Sequence, residues 1–127
     1  MFKPYELIGM PYRLGATPEK HQAVDCVSLA RAVLKTYGIK SPEPKRDWYR
    51  RLRRGDYEIF REQLQAWGVK TKEIKIGTVG LVKAANGKGY GLAVYWEGGW
   101  LSCSEELGAR WSPIGGLQVV EYYCQQK

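Results

Sequence analysis

The sequence predicts an α+β fold, with helices in the first half and an antiparallel sheet in the second. Up to Gly68 the apolar residues recur at helical spacing, and beyond it they fall in short runs rich in Val, Leu, Tyr and Trp. The runs are joined by glycine-containing turns, and joints that tight make antiparallel neighbours. No repeat, low-complexity tract or linker interrupts the chain, so residues 1–127 read as one domain.

Asp25 is placed to cap a helix carrying Val27, Ala30, Val33, Leu34 and Tyr37 at three-and-four spacing, and Gly38 stands where a left-handed terminal residue is wanted. Ser41-Pro42-Glu43-Pro44 breaks the pattern. Residues 46–53 then read as a short basic helix, and Asp56 as the cap of another through Ile59, Phe60, Leu64 and Trp67, ending before Gly68. Strands are predicted over 78–84, 90–96, 100–104, 109–112 and 117–123. Asn86-Gly87 turns between the first two and Glu97-Gly98-Gly99 between the second and third. The Asp25 helix is expected to bury its apolar face against the sheet.

Composition narrows the function classes. Hydrophobic residues make up 44% of the chain, with five Trp, nine Tyr and two Phe, which excludes a disordered segment. No apolar run approaches the roughly 18 residues that span a bilayer. Residues 1–6 hold no apolar stretch ahead of a cleavage site, so the expected location is the cytoplasm or a virion, with no membrane partner. A net charge of +7 favours polyanionic surroundings. Cys26, Cys103 and Cys124 lack the close paired spacing of a zinc site or a disulfide framework; reduced thiols are expected, with no metal and no cofactor. His21 is the single histidine, so a mechanism needing two imidazoles within the chain is excluded.

Cys26 follows the cap directly, which sets its sulfur near the positive end of the helix dipole and favours the thiolate. The ordinary alternative is a small residue packed at a helix start. The words around it bear on the choice. Ile8-Gly9-Met10-Pro11-Tyr12-Arg13-Leu14-Gly15, then Asp25-Cys26-Val27-Ser28-Leu29-Ala30, then Tyr37-Gly38-Ile39 resemble the opening of the NlpC/P60 family of cell-wall cysteine peptidases. That opening reads G-x-P-Y-x-x-G-G, D-C-S-G-L-V and a helix ending before G-I. Ile76-Gly77-Thr78-Val79-Gly80-Leu81-Val82 resembles the family's G-D-L-V-x-F strand. Residues 91–102 resemble its H-V-G-I-Y-x-G-x-G-x-x-I-H pair of strands.

The resemblance implies a papain-like fold in which a helix-borne cysteine attacks a peptide carbonyl of a peptidoglycan stem peptide. A histidine on the sheet acts as base, and a polar residue on the next strand orients it. Carried over, Cys26 takes the nucleophile position, Tyr12 the site tyrosine, Gly91 the base position and Ser102 the orienting position. Glycine cannot take a proton, and positioned acid–base groups contribute about a hundredfold to ten-thousandfold. Ser28, Ala16 and Thr78 also depart from the family's glycines and aspartate.

The leading expectation is therefore a degenerate peptidase-fold domain that serves in binding or assembly, in a setting such as a phage tail, with a peptidoglycan peptide or an acidic protein as partner. A second reading keeps thiol peptidase or amidase activity, with His21, five residues before Cys26, or a partner-supplied group as base. The third comes from Lys45, Arg46, Arg50, Arg51, Arg53 and Arg54, which with Trp48 and Tyr49 could grip phosphates and stack on bases as a nucleic-acid module. A solvated helix face is the usual explanation of such a run, and direct nucleic-acid contact ranks below docking onto an acidic partner.

Overall fold

A computed structural model describes residues 2–84 and 89–126. The first half folds into five helices, α1 Pro4–Leu7, α2 Pro18–His21, α3 Cys26–Thr36, α4 Arg46–Arg53 and α5 Glu58–Trp67. Six strands follow: β1 Gly68–Lys70, β2 Val79–Lys83, β3 Tyr90–Trp96, β4 Gly99–Ser104, β5 Gly108–Pro113 and β6 Val119–Gln125. The α+β class expected from the sequence is the one observed.

Helix α3 begins and ends as its sequence dictates. The Asp25 carboxylate accepts the Ser28 N–H at 2.8 Å, and the Asp25 N–H donates back to Ser28 Oγ at 2.9 Å, a reciprocal cap. At the other end Gly38 adopts φ +73°, and the Ile39 and Gly38 N–H groups close on the carbonyls of Leu34 and Lys35. Val27, Leu29, Ala30, Val33 and Leu34 are buried, and the helix packs on β3 and β4. In α4, Trp48 and Leu52 lie four residues apart and are buried, which turns most of the arginines to solvent.

The sheet is antiparallel throughout, in the order β1-β6-β2-β3-β4-β5. Strands β2 to β5 form a meander. The last strand departs from it and returns to lie between β2 and β1, so the chain's end closes the sheet beside the strand that follows α5. Leu81, Val94, Leu101 and Tyr123 point inward from four different strands onto the helices. Arg61 of α5 ties the layers together: its guanidinium pairs with Glu121 of β6 at 3.2 Å and lies 4.8 Å over the Tyr90 ring of β3.

Several expectations need correction. The N-cap of α5 is Tyr57, because the Asp56 carboxylate is taken by Arg51 Nε at 2.7 Å. The loop of the β3–β4 hairpin is only Glu97-Gly98, both at positive φ, and Gly99 already pairs with Trp96. Thr78 precedes its strand and stitches a turn, accepting the Lys75 N–H and donating to the Glu73 carbonyl, each at 3.1 Å. Strand β1 and the helices α1 and α2 were not expected. The Asn86-Gly87 turn lies outside the described residues.

Candidate functional site

The site assembles where β3 and β4 part. Their ladder runs from Trp96↔Gly99 through Tyr95↔Trp100 to Val94↔Leu101. Beyond it β3 stays paired with β2 as far as Tyr90, and β4 with β5 as far as Ser104. Continued by arithmetic, the hairpin register would bring Leu92 opposite Cys103. The Cys26 sulfur meets both: the Leu92 N–H eases its ionisation, and it lies 3.9 Å from the Cys103 carbonyl oxygen and 3.9 Å from Cys103 Sγ.

Gly91, the residue before Leu92, faces the same sulfur. A Cβ built on Gly91 would lie 3.6 Å from Cys26 Sγ, an ordinary contact distance, and among the described residues that sulfur is the only atom within 4 Å of it apart from the immediate chain. The position to which the NlpC/P60 resemblance assigns a base thus lies beside Cys26 and bears no side chain.

Cys103 is an ionisable neighbour at 3.9 Å. Its S–H donates to the Cys26 sulfur and is the strongest influence holding Cys26 below the ordinary thiol range. Burial opposes this, the Leu92 N–H supports it, the Asp25 carboxylate opposes it, and the Cys26 N–H at the helix start supports it. The reciprocal effect, together with burial and the nearby charges, pushes Cys103 far above that range. The pair therefore consists of one thiol whose ionisation is eased and one whose ionisation is opposed, both half-buried.

The entrance is built by the segment leading to α2. Gly9 N–H donates to the Ala109 carbonyl at 2.7 Å, and Ala109 N–H to the Met10 carbonyl at 2.8 Å, fastening the chain to β5. Gly108 is required there, since its φ is +68° and a Cβ would collide with the Met10 carbonyl. Tyr12 then bridges Val24 in parallel, and the Gly15 N–H donates to the second Asp25 carboxylate oxygen at 2.8 Å. One carboxylate, 2% exposed, thus ties the loop to the helix that carries Cys26. The half-buried Tyr12 phenol is pushed above its ordinary range, first by burial and then by the charges of Cys26 and Asp25. It is a hydrogen-bond donor across the physiological range and no base.

The remaining sequence-derived residues fall away from the sulfur. His21 is exposed, and its Nδ1 accepts the Thr17 N–H at 3.0 Å; it is not among the strongest influences on Cys26. Ser102 pairs with Arg110 across β4–β5, and strand alternation turns its side chain to the face opposite Cys103. Trp48 is in the core and unavailable to stack on a base. Arg51 is committed to Asp56 and Glu62, whereas Lys45, Arg46, Arg50, Arg53 and Arg54 stand exposed along and beside α4.

Cys103, expected only as a reduced thiol, is the residue that sequence reasoning missed. The signal was the hairpin: a two-residue turn at Glu97-Gly98 fixes a register that sends Cys103 to Leu92, next to Gly91. Among the described residues no group of three or more His, Cys, Asp or Glu is placed to hold a metal ion, and no helix is long and apolar enough to cross a membrane. Comparison with protein-family models and with curated proteins finds no match to this chain.

Proposed function

We propose that this chain is a papain-like domain of the NlpC/P60 type that has lost base-assisted hydrolysis and serves in binding or assembly. The single observation that carries the reading is the bare Gly91 α-carbon facing Cys26 Sγ. A thiolate can attack a carbonyl unaided, but amide cleavage also needs a proton delivered to the leaving nitrogen. The Leu92 and Cys26 N–H groups near the sulfur are amides and do not shuttle protons, and the Tyr12 phenol is held protonated. The exposed cations of α4 supply a docking face for an acidic protein surface, in an assembly such as a phage tail.

The test is hydrolysis of a γ-D-glutamyl-diamino acid stem peptide by the wild type and by Cys26→Ala. Equal, background-level turnover is expected. Cys26-dependent cleavage would overturn the reading and establish the second one, a working thiol hydrolase, which the lowered Cys26 ionisation favours.

A further inference from the structure

Two cysteines that lie 77 positions apart in sequence, one opening α3 and one near the end of β4, bring their sulfurs to 3.9 Å. A disulfide needs about 2.05 Å, so the sulfurs must approach by roughly 2 Å on oxidation. Cys103 is next to the last residue of β4, close to the 105–107 turn, and the β3–β4 ladder does not extend to it. Cys124 is on β6, separated from β4 by β2 and β3, and is out of reach of both.

We propose that Cys26 and Cys103 form a thiol pair that hydroperoxides oxidise reversibly to an intramolecular disulfide, Cys26 reacting first and Cys103 resolving. This rests on the two sulfurs alone and holds whether or not the chain is a papain-like domain. The Cys26 thiolate attacks the terminal oxygen of the hydroperoxide. A sulfur–oxygen bond forms, the oxygen–oxygen bond breaks, and the departing alkoxide takes a proton from water to become an alcohol. Cys26 is left as a sulfenic acid. The Cys103 sulfur then attacks the Cys26 sulfur, the sulfur–sulfur bond forms, and hydroxide leaves with the Cys103 proton as water. Two thiols lose two electrons and two protons, and the hydroperoxide gains them as alcohol and water. A dithiol reverses the state by exchange.

The asymmetry of the site suits this order. The attacking sulfur is the one whose ionisation is eased, first by the Cys103 S–H and then by the Leu92 N–H and the helix start. The resolving sulfur keeps its proton until the first has been oxidised. Resolution from 3.9 Å is intramolecular, so it outpaces further oxidation of Cys26.

The experiment uses the reduced full chain, treated with a stoichiometric amount of hydrogen peroxide, blocked with N-ethylmaleimide and mapped by peptide mass. Maleimide-reactive thiols are expected to fall from the three cysteines to Cys124 alone, with a Cys26–Cys103 linked peptide, and dithiothreitol should restore all three. In Cys103→Ser, Cys26 should stop as a sulfenic acid that dimedone traps. If that variant does not fold, the wild-type map decides by itself. Cys26 and Cys103 both remaining alkylatable, Cys26 of the wild type accumulating as sulfinic acid, or a disulfide joining two chains would each overturn the proposal.

Discussion

Cys26 Sγ lies 3.6 Å from the point where a side chain on Gly91 would begin. That contact joins the first residue of α3 to the second residue of β3 and defines what the site lacks. It also makes the lack correctable, because Gly91 is an ordinary strand residue with room for a Cβ.

Gly91→His is expected to raise the rate of Cys26 alkylation by iodoacetamide at neutral pH severalfold, since a side chain there stands against the sulfur. That is less than the about hundredfold-to-ten-thousandfold contribution of positioned acid–base groups, because the ionisation of Cys26 is already eased by its neighbours. An unchanged rate would mean that the imidazole on β3 does not reach the sulfur.

Cys26 should alkylate at lower pH than an ordinary thiol, since its lowered ionisation keeps it as thiolate where free cysteine is still protonated. Cys103→Ala removes the S–H that contributes most to this lowering, so the midpoint of the rate–pH profile should move upward. A midpoint that stays put, or moves down, contradicts the thiol–thiol hydrogen bond.

His21→Ala should leave that profile unchanged, because the imidazole is bonded to the Thr17 N–H rather than to the sulfur. The cost in stability should be at most about 1 kcal/mol, the net worth of one exposed hydrogen bond. Loss of Cys26 reactivity in this variant would return His21 to the site.

Asp25→Ala removes the cap of α3 and the acceptor for Gly15 together. A destabilisation of about 2–3 kcal/mol in urea unfolding is expected, one cap plus one stranded N–H. Asp25→Asn retains an acceptor oxygen and should lose less.

The parts of this fold that are legible in the sequence are those specified by neighbours along the chain. The cap at Asp25, the left-handed Gly38 and the five longer strands all announce themselves by local spacing. Strand β1 does not, because its three residues leave Val69 and Lys70 exposed and owe their conformation to β6, against whose Cys124 carbonyl Gly68 packs without room for a Cβ. The place of β6 beside β2 is likewise a matter of closing the sheet, which no local pattern encodes. Two departures from the family's motifs acquire local reasons: Ser28 completes the cap of α3, and Thr78 closes the turn before β2. In the site, Cys26 and Gly91 are found by motif, whereas Cys103 becomes visible only once the hairpin register is written out.

The shared carboxylate of Asp25 makes the Gly9–Gly15 loop and the start of α3 a single mechanical piece. Whatever grips that loop also tugs on the sulfur. Thiol labelling at Cys26 therefore doubles as a gauge of how that loop is held.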